Sequence, residues 1–465
     1  MKEVIFASAC EITKLIRKKE ISCVEVVESY ISRIEDVNLA LNAVVCKTFD
    51  TAKNQAKIYD DQLSKEFRDF APLYGVPMTL KDSLDTKGIC TTGGTRGRSN
   101  FIPQEDASLV KRLKNAGAVL LGKTNTPELT LSPETNNLIF GRTNNPFDVT
   151  RTPGGSSGGA GAIVSAGGAA FDIGSDTGGS IRFPSHYCGI FGLKPTSGRV
   201  PRTGHLISFD VGASEAFTQN GPMARHVVDL EVIYKLISGP DGIDPYIVPM
   251  PLRDSNNVDT RSLKVVYYID NGVFTPTNEI KMAVKKVIQA LEDVVKSVDE
   301  DCPHVIKEYP TIANDLAGAD GRAGTARILE KSGTSQMDRW LQRRFDQANP
   351  ISVSEFTNLL EKIDRYRSEM TKFFGPYDVI ISPIAPFPAM EHELSLEQPY
   401  VTGLFSYNQP YNIAGWPLVA VPVGVSSEGL PIGVQVISKP WREDVALAVA
   451  TFLEKNFGGW IRPPI

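Results

Sequence analysis

TPGGSSGG at residues 152–159 and SDTGGSIRFP at residues 175–184 are the two stretches from which the rest of this chain can be interpreted. Each holds serines among glycines: Ser156 and Ser157 in the first, Ser180 in the second. Glycine allows backbone angles closed to other residues, so a serine hydroxyl can be presented while neighbouring N–H groups converge on one point. Such a convergence beside a serine is typical of a site that stabilises an oxyanion.

A serine that attacks a carbonyl carbon needs a base within hydrogen-bond reach to take its proton. Histidine is the usual base, but none of the five histidines lies in a motif that indicates this role. They are His186, His205, His226, His304 and His392. A triad with a histidine distant in sequence stays open, because the partners of a catalytic serine need not be its neighbours along the chain.

Lys81, in YGVPMTLKDS at 74–83, is the other candidate base. A lysine amine in water has a pKa of about 10.4, so at pH 7 nearly all of it is charged and cannot accept a proton. Desolvation can lower this pKa to about 7 or 8, at a cost of about 4 kcal/mol. The apolar run at 76–80 predicts a buried strand that leads into Lys81. Asp82 and Asp85 would oppose the lowering, so we expect at least one of them to point away from the amine.

These stretches resemble the amidase signature family, whose Ser-Ser-Lys triad matches Ser180, Ser156 and Lys81 in order, spacing and flanking glycines. The specific likeness runs over residues 73–225 and returns more weakly near the C-terminus. The segments that carry it are GVPMTLKD, RTNNPFDVTRTPGGSSGG, DTGGSIRFP, GIFGLKPTSGRVP, VGASEAFTQNGPMAR, YNIAGWPLVAVPVGV and LPIGVQVISKP. The second and the fifth are most similar to the fatty acid amide hydrolases and their bacterial relatives.

The resemblance implies a role for each motif residue. Ser180 would be the nucleophile, and Lys81 would draw its proton through Ser156, a bridging serine that follows a cis peptide bond from Gly155. The other residues to which it assigns roles are an oxyanion hole of backbone N–H groups (Thr177, Gly178, Gly179 and Ser180), a supporting shell (Asp176, Arg182 and Ser157) and an acyl pocket (Thr130 and Leu131). It also implies that the reaction needs no cofactor and no metal.

The same residues admit other interpretations. GGSSGG fits the nucleophile-elbow pattern G-x-S-x-G at Ser156 and Ser157, but an elbow needs a strand directly before it, and NNPFDVTRTP predicts turns. The stretch is too central for a linker, and neither of the glycine-rich phosphate-binding patterns occurs in the chain. We interpret His186 and Cys188, which lie beside the apolar GIFG, as core residues. For Arg182, a plain structural ion pair stays open beside a supporting role at the site.

Composition is consistent with an enzyme that binds a small molecule. The 465 residues carry a net charge of −5, which gives no electrostatic footprint for nucleic acid. The six cysteines show no CxxC spacing, as in a reducing compartment, and the pattern does not suggest metal binding. No apolar window is long enough for a signal peptide or a transmembrane segment. We therefore expect a cytoplasmic protein, with a homodimer left open.

The hydrophobic pattern predicts an α/β fold, an α/β/α sandwich with one large mixed β-sheet covered by helices on both faces. Ser22 and Glu25 predict a capping box at the start of an amphipathic helix. A polar helix should follow to about Phe67, and the last helix should cover 443–456. The predicted strands lie at or near Val44, Met78, Ala118, Val265, Val379, Leu418 and Gly433.

No composition shift marks a domain boundary, so we expect residues 1–465 to form a single amidase domain with its core motifs at 73–225. The pattern of residues from about 310 to 375 predicts helices that are more polar than those in the rest of the chain, and this region has fewer of the family's features. We expect them to shape the entrance through which substrate reaches the serines.

The sequence therefore predicts a serine amidase that cleaves the carbon–nitrogen bonds of small or acyl amides through an acyl-enzyme. Carbamates, anilides and esters remain open as further substrates. Two alternatives from other classes also stay open. One is the amidase subunit of a tRNA-dependent amidotransferase, which would need a partner chain. The other is a catalytically silent scaffold, which the intact triad disfavours.

Overall fold

The structure of this chain is a computed structural model that describes residues 4–64, 71–209 and 217–465. Two predicted features fall partly outside these ranges: the end of the polar helix near Phe67, and the segment VGASEA at 211–216. Within the described ranges, no helix combines the length and the apolar character needed to cross a bilayer.

The described residues contain one sheet of eleven strands. In chain order they are β1 (Val44–Lys47), β2 (Pro77–Lys81), β3 (Val119–Thr124), β4 (Phe171–Asp176), β5 (Phe191–Lys194), β6 (Gln219–Ala224), β7 (Lys264–Tyr267), β8 (Ser297–Glu300), β9 (Val379–Pro383), β10 (Leu418–Val425) and β11 (Pro431–Ser438). Across the sheet the order is β1-β3-β2-β4-β6-β5-β10-β11-β9-β7-β8. Strands β3, β2 and β4 run parallel, as do β9, β7 and β8, while the other pairs are antiparallel. The predicted mixed sheet is confirmed.

Helices connect most of the strands. They are α1 (Ala9–Arg17), α2 (Cys23–Leu41), α3 (Phe49–Ser64), α4 (Ser108–Asn115), α5 (Gly158–Ser165), α6 (Arg182–Cys188), α7 (Val227–Ile237), α8 (Asn278–Glu292), α9 (Tyr309–Gly318), α10 (Ala323–Ser332), α11 (Arg339–Asp346), α12 (Val353–Phe374), α13 (Tyr400–Ser406), α14 (Gln409–Ala414) and α15 (Glu443–Phe457). Ser22 and Glu25 cap α2 reciprocally, which confirms the predicted capping box.

Both faces of the sheet are covered. Every residue of β11 is buried, and its neighbours Val436 and Ile437 belong to different core clusters. The cluster of Val436 includes Leu447 of α15, while that of Ile437 includes Met370 of α12. Because successive strand residues point to opposite faces, helices pack on each side. This is the α/β/α arrangement that the sequence predicts.

The hydrophobic pattern misses β4, β5, β6 and β8, and for β4, β6 and β8 the reason is visible in the sequence. Strand β4 reads FDIGSD and β6 reads QNGPMA, and Asp, Gly and Pro are depleted in strands. Strand β8 reads SVDE and is half exposed at the edge of the sheet. Pairing with neighbouring strands overrides local propensity in these segments.

The fold brings the predicted site residues together at one edge of the sheet. Parallel strands end on the same side, and Lys81 closes β2 while Asp176 closes β4. In open α/β sheets this carboxyl-end edge is where ligands bind. The two glycine-rich stretches meet there, since the backbone N–H of Ser157 donates to the carbonyl of Ser180 at 3.2 Å.

The surroundings of GGSSGG do not form a nucleophile elbow. Residues 125–157, all of them described, contain one isolated bridge at Arg151 and no strand. Helix α5 follows directly at Gly158. The strand that an elbow requires is absent from this stretch, as the turn-rich sequence predicts.

Candidate active site

Lys81 lies at the centre of a group of serine hydroxyls. It is fully buried, and its Nζ donates to Ser156 Oγ at 2.6 Å, to Ser157 Oγ at 3.0 Å and to Ser175 Oγ at 2.9 Å. The contact between Lys81 and Ser156 is the one that a proton relay requires. The prediction that these two side chains lie within hydrogen-bond reach is confirmed.

Ser156 is presented by an unusual backbone. The Gly155–Ser156 peptide bond is cis, as predicted. A Cβ at Gly155 would lie 2.7 Å from the carbonyl carbon and oxygen of Glu134, so a side chain cannot fit there. Glycine at this position therefore lets the chain pass against Glu134 and turn Ser156 toward Lys81.

Burial determines the protonation of Lys81. Desolvation lowers the pKa of its amine to about 7, although the carboxylates of Asp176 and Asp172 act in the opposite direction. Asp82 points away and accepts from the backbone N–H and the hydroxyl of Thr92. Asp85 pairs with Arg98 at 2.9 Å. The expectation that at least one of Asp82 and Asp85 points elsewhere is confirmed, and both do.

This pKa predicts the pH dependence of catalysis. If neutral Lys81 is the base, kcat/KM should rise with pH through an apparent pKa of about 7 and then level off, because only the unprotonated amine can accept the proton. Steady-state kcat/KM on one amide between about pH 5 and pH 10 measures it. A flat profile over that range, or a loss of activity as pH rises through neutrality, would contradict a lysine base.

The turn that carries Ser180 is held by a buried ion pair. Asp176 is fully buried, and its carboxylate accepts from the N–H groups of Gly179 at 2.8 Å and Ile181 at 3.0 Å. Arg182 donates to the same carboxylate at 2.8 Å and, further along, to the side chain of Asn412. Arg182 outweighs the effect of burial and holds the pKa of Asp176 well below its usual range. The two interpretations of Arg182 coincide, because its ion pair is what fixes the turn.

Gly179 departs from the predicted oxyanion hole. Its N–H is already engaged by Asp176, so it does not point to a free anion position. Its φ of +127° and the ring of Phe183, which a Cβ at this position would overlap, explain why glycine occupies it. Among the described groups, none accepts a hydrogen bond from the backbone N–H of Thr177, Gly178 or Ser180. These three donors remain for an oxyanion.

A pocket opens in front of Ser180. It encloses about 680 Å³ including its mouth, and Ser180, Gly178 and Thr177 line it together with Thr130 and Leu131. Its apolar wall includes Phe217, Ala313, Leu316, Ala317, Phe405 and Ile413. The structure thus places the two predicted acyl-pocket residues in one cavity with Ser180. Part of the 310–375 region borders the same cavity.

Thr130 reaches the pocket through a strained backbone. It has a φ of +60° and follows Leu129 at +52°, a region that β-branched residues rarely adopt. Buried Glu128 anchors this turn by accepting from Thr95 Oγ1 at 2.7 Å and from the N–H of Asp338 at 2.6 Å. Asp338 caps α11, so the turn and the entrance helices are tied together. Strain of this kind clusters at functional sites, where the surroundings enforce it.

The histidine nearest the glycine-rich stretches is part of the core. His186 is buried; its Nδ1 accepts from the N–H of Gly433 at 2.8 Å, and its Nε2 lies 3.2 Å from the carbonyl of Phe387. Cys188 is buried as well. The interpretation of both as core residues is confirmed. Over the residues that the structure describes, no group of three or more His, Cys, Asp or Glu side chains could hold a metal ion.

Two residues near Lys81 are absent from the sequence prediction. Ser175 contacts the amine directly, and Asp172 acts on it through its charge. The signal for Ser175 is its position one residue before Asp176, inside the second glycine-rich stretch. Asp172 is signalled only by a charged residue between Phe171 and Ile173, and its meaning depends on which strand lies beside it.

Comparisons with known proteins agree with this geometry. The chain matches the family described as Amidase over residues 25–447. It is 33% identical to fatty-acid amide hydrolase 2 of Homo sapiens, over 99% of this chain and 91% of that protein. It is 34% identical to a glutamyl-tRNA(Gln) amidotransferase subunit of Moorella thermoacetica, over 98% of this chain and 97% of that protein. The structure of 6-aminohexanoate cyclic dimer hydrolase complexed with substrate covers 99% of both chains with a TM-score of 0.88 and 27% identity.

Proposed function

This chain belongs to the amidase family, and on that premise we propose that it hydrolyses small or acyl amides through an acyl-enzyme on Ser180, with Lys81 as the base and Ser156 as the bridge. The observation that carries the proposal is a buried amine with a pKa of about 7 in hydrogen-bond contact with Ser156, next to the turn of Ser180. A base with a pKa near neutrality can take a proton and return it within one catalytic cycle.

In this mechanism, Ser180 Oγ attacks the carbonyl carbon of the amide as its proton passes to Ser156 Oγ, while the proton of Ser156 passes to neutral Lys81. The negative oxygen that forms is stabilised by the N–H groups of Thr177, Gly178 and Ser180. The ammonium of Lys81 then returns the proton along the same path to the departing nitrogen. Water, activated by the same base, releases the acid from Ser180.

Ser157 belongs to the support of this relay. Its hydroxyl and that of Ser175 each lie within hydrogen-bond reach of the Lys81 amine, which positions Nζ against Ser156. Ser157 also forms a hydrogen bond with strand β4, since the N–H of Ser175 donates to Ser157 Oγ at 3.3 Å. A base fixed by several contacts keeps the geometry that proton transfer requires.

The wall of the pocket is largely apolar and suits an apolar acyl group, since Leu131 and Phe405 lie in the same cavity as Ser180. No Asp or Glu is among its described lining residues, whereas Arg322 and Arg344 line it as well, so a negatively charged end on the acyl group would also fit there. Thr130 and Leu131 are of modest size, so both aliphatic and aromatic acyl groups would fit beside them. Carbamates, anilides and esters also present a carbonyl carbon to Ser180, so they stay within the proposal. An enzyme that hydrolyses carbamates would be a urethanase.

The proposal includes a single amidase domain over residues 1–465, which the one continuous sheet supports. The chain needs no cofactor in this mechanism, since Lys81, the serines and the backbone N–H groups supply every proton and charge. A homodimer and a cytoplasmic location stay predictions.

The second candidate is the amidase subunit of a tRNA-dependent amidotransferase. The 34% identity to the amidotransferase chain from Moorella thermoacetica favours it as the alternative. Such a subunit would need partner chains, so hydrolysis of simple amides by the purified chain alone would argue against it. A silent scaffold is disfavoured, because Lys81 and its three serine partners are all in place.

The direct test is to treat the purified chain with a fluorophosphonate probe and to assay a panel of amides, esters and carbamates. We expect hydrolysis of at least one amide and a label on Ser180 alone, because only that hydroxyl combines the relay with the free N–H donors. Peptide mapping identifies the labelled residue. A label on Ser156 or Ser157 would reassign the nucleophile, and no hydrolysis without partner chains would favour the amidotransferase alternative.

A further inference from the structure

Asp172 is a charged residue in a position that the fold would fill with an apolar one. It lies in the interior of β4, a central strand buried at every position, between Phe171 and Ile173. Asp is depleted in strands, and burial of an ionised carboxylate is costly unless it is paired. Asp172 makes no ion pair with any described residue.

The hydrogen bonds of Asp172 satisfy only half of its carboxyl group. Thr79 Oγ1 donates to Oδ2 at 2.6 Å, and Thr124 Oγ1 donates to the same oxygen at 3.0 Å. Oδ1 is buried and has no hydrogen-bond partner in the described part of the chain. A buried polar atom without a partner costs stability, so its presence calls for an explanation beyond the fold.

The sheet places this carboxyl on the side of Lys81. Thr79 is paired with Asp172 in the parallel register of β2 and β4, and Lys81 lies two residues beyond Thr79. Residues two apart on a strand point to the same face, so the amine and the carboxyl share one face of the sheet. No hydrogen bond joins them, and Asp172 therefore acts on the amine through space.

We propose that Asp172 is a positioning residue that sets the base strength of Lys81. An ionised carboxylate on the same face stabilises the ammonium form of Lys81, so it opposes the desolvation of the amine and makes it a stronger base. The inference rests on the proposed function of Lys81. Burial raises the pKa of Asp172 to about 7, even though its hydrogen bonds with Thr79 and Thr124 and the charges of Lys81 and Lys123 lower it.

The other charged or titratable groups around the amine have partners of their own or are neutral. Asp176 also acts on Lys81, but it forms the buried ion pair with Arg182. Lys123 on β3 lies near both Asp172 and Asp82, and its amine donates to the carbonyl of Leu84. His205 faces the same region and stays neutral, since burial lowers its pKa to about 3. Among the described residues, Asp172 is thus the carboxyl on this face whose charge no ion pair offsets.

The test is the pH profile of kcat/KM for Asp172→Asn, measured on one amide. Without the carboxylate the ammonium of Lys81 is less stable, so the rising limb should move to lower pH by about half a unit to one unit. The high-pH plateau should fall at the same time, because a weaker base transfers the proton more slowly. Asp229→Asn is the matched control, since Asp229 is a buried carboxyl on α7 that bonds the N–H groups of Ala9 and Cys10. For Asp229→Asn, the rising limb of the kcat/KM profile should lie at the same pH as in the wild type.

A second variant decides the matter if Asp172→Asn does not fold. Thr124→Val removes one donor from Asp172 Oδ2, which leaves the carboxyl less ionised and should move the limb in the same direction by a smaller amount. A lower plateau with an unmoved limb in the folded variants would show that Asp172 only supports the fold, and would overturn the inference. Failure of the proposed function is distinct: the wild-type chain itself would then show no limb near pH 7, and both proposals would fall.

Discussion

Ser180→Ala should lower kcat/KM for amides by about 10⁴-fold or more, because it removes the only atom that forms the acyl-enzyme. The residual activity would come from substrate binding and from the N–H donors of the turn, which alanine leaves in place. Steady-state kinetics on one amide, with loss of fluorophosphonate labelling in the same variant, measures the effect. The fold should be unchanged, since alanine suits this position in the turn before α6.

Ser165→Ala is the control for this experiment. Ser165 ends α5, and its buried hydroxyl has no hydrogen-bond partner in the described part of the chain, so the same substitution there removes a hydroxyl without touching the site. We expect kcat/KM of Ser165→Ala to stay within about twofold of the wild-type value, because the substitution lies outside the catalytic site. A Ser180→Ala enzyme that kept most of its activity would refute the assignment of the nucleophile.

Lys81→Ala should cost amides more than esters with the same acyl group. Lys81 has two tasks: it takes the proton of Ser180 through Ser156, and it then protonates the departing group. An alkoxide or phenoxide can leave with little help, whereas an amine must be protonated first or the tetrahedral intermediate reverts. We expect a loss of about 10² to 10⁴ for the ester, from the general-base step, and a larger loss for the matched amide.

The measurement is kcat/KM for one amide and its isosteric ester, on wild type and on Lys81→Ala. Lys194→Ala provides a matched control, because Lys194 is also fully buried with a pKa of about 7 but donates to the carbonyl of Pro195 and to no described serine. Its substitution can lower stability, yet the ratio of amide to ester activity should stay at the wild-type value. Equal fractional losses on the two substrates for Lys81→Ala would show that another acid protonates the leaving group.

Much of the fold and the site could be predicted because it is encoded locally. The alternating or continuous apolar runs at Met78, Val379 and Leu418 are strands in the structure, since such segments can be stable only when they are covered on both faces. These strands depend on residues close together along the chain. The cis bond before Ser156 and the contact of that serine with Lys81, 75 positions away in the sequence, were instead predictable from the resemblance of the two motifs to the amidase signature family.

The remaining features depend on which distant segments become neighbours. Asp172 and Ser175 act on Lys81 because β4 lies beside β2 in parallel register, and no local pattern reveals that pairing when β4 reads FDIGSD. The N–H of Gly179 is withdrawn from the predicted oxyanion hole by the carboxylate of Asp176, whose orientation depends on Arg182 and on Asn412 from a distant helix. A local motif specifies which chemical groups are present, whereas burial, charge and hydrogen-bond partners come from chain segments far apart in sequence, so only the tertiary structure decides how strong a base Lys81 is and which donors are free.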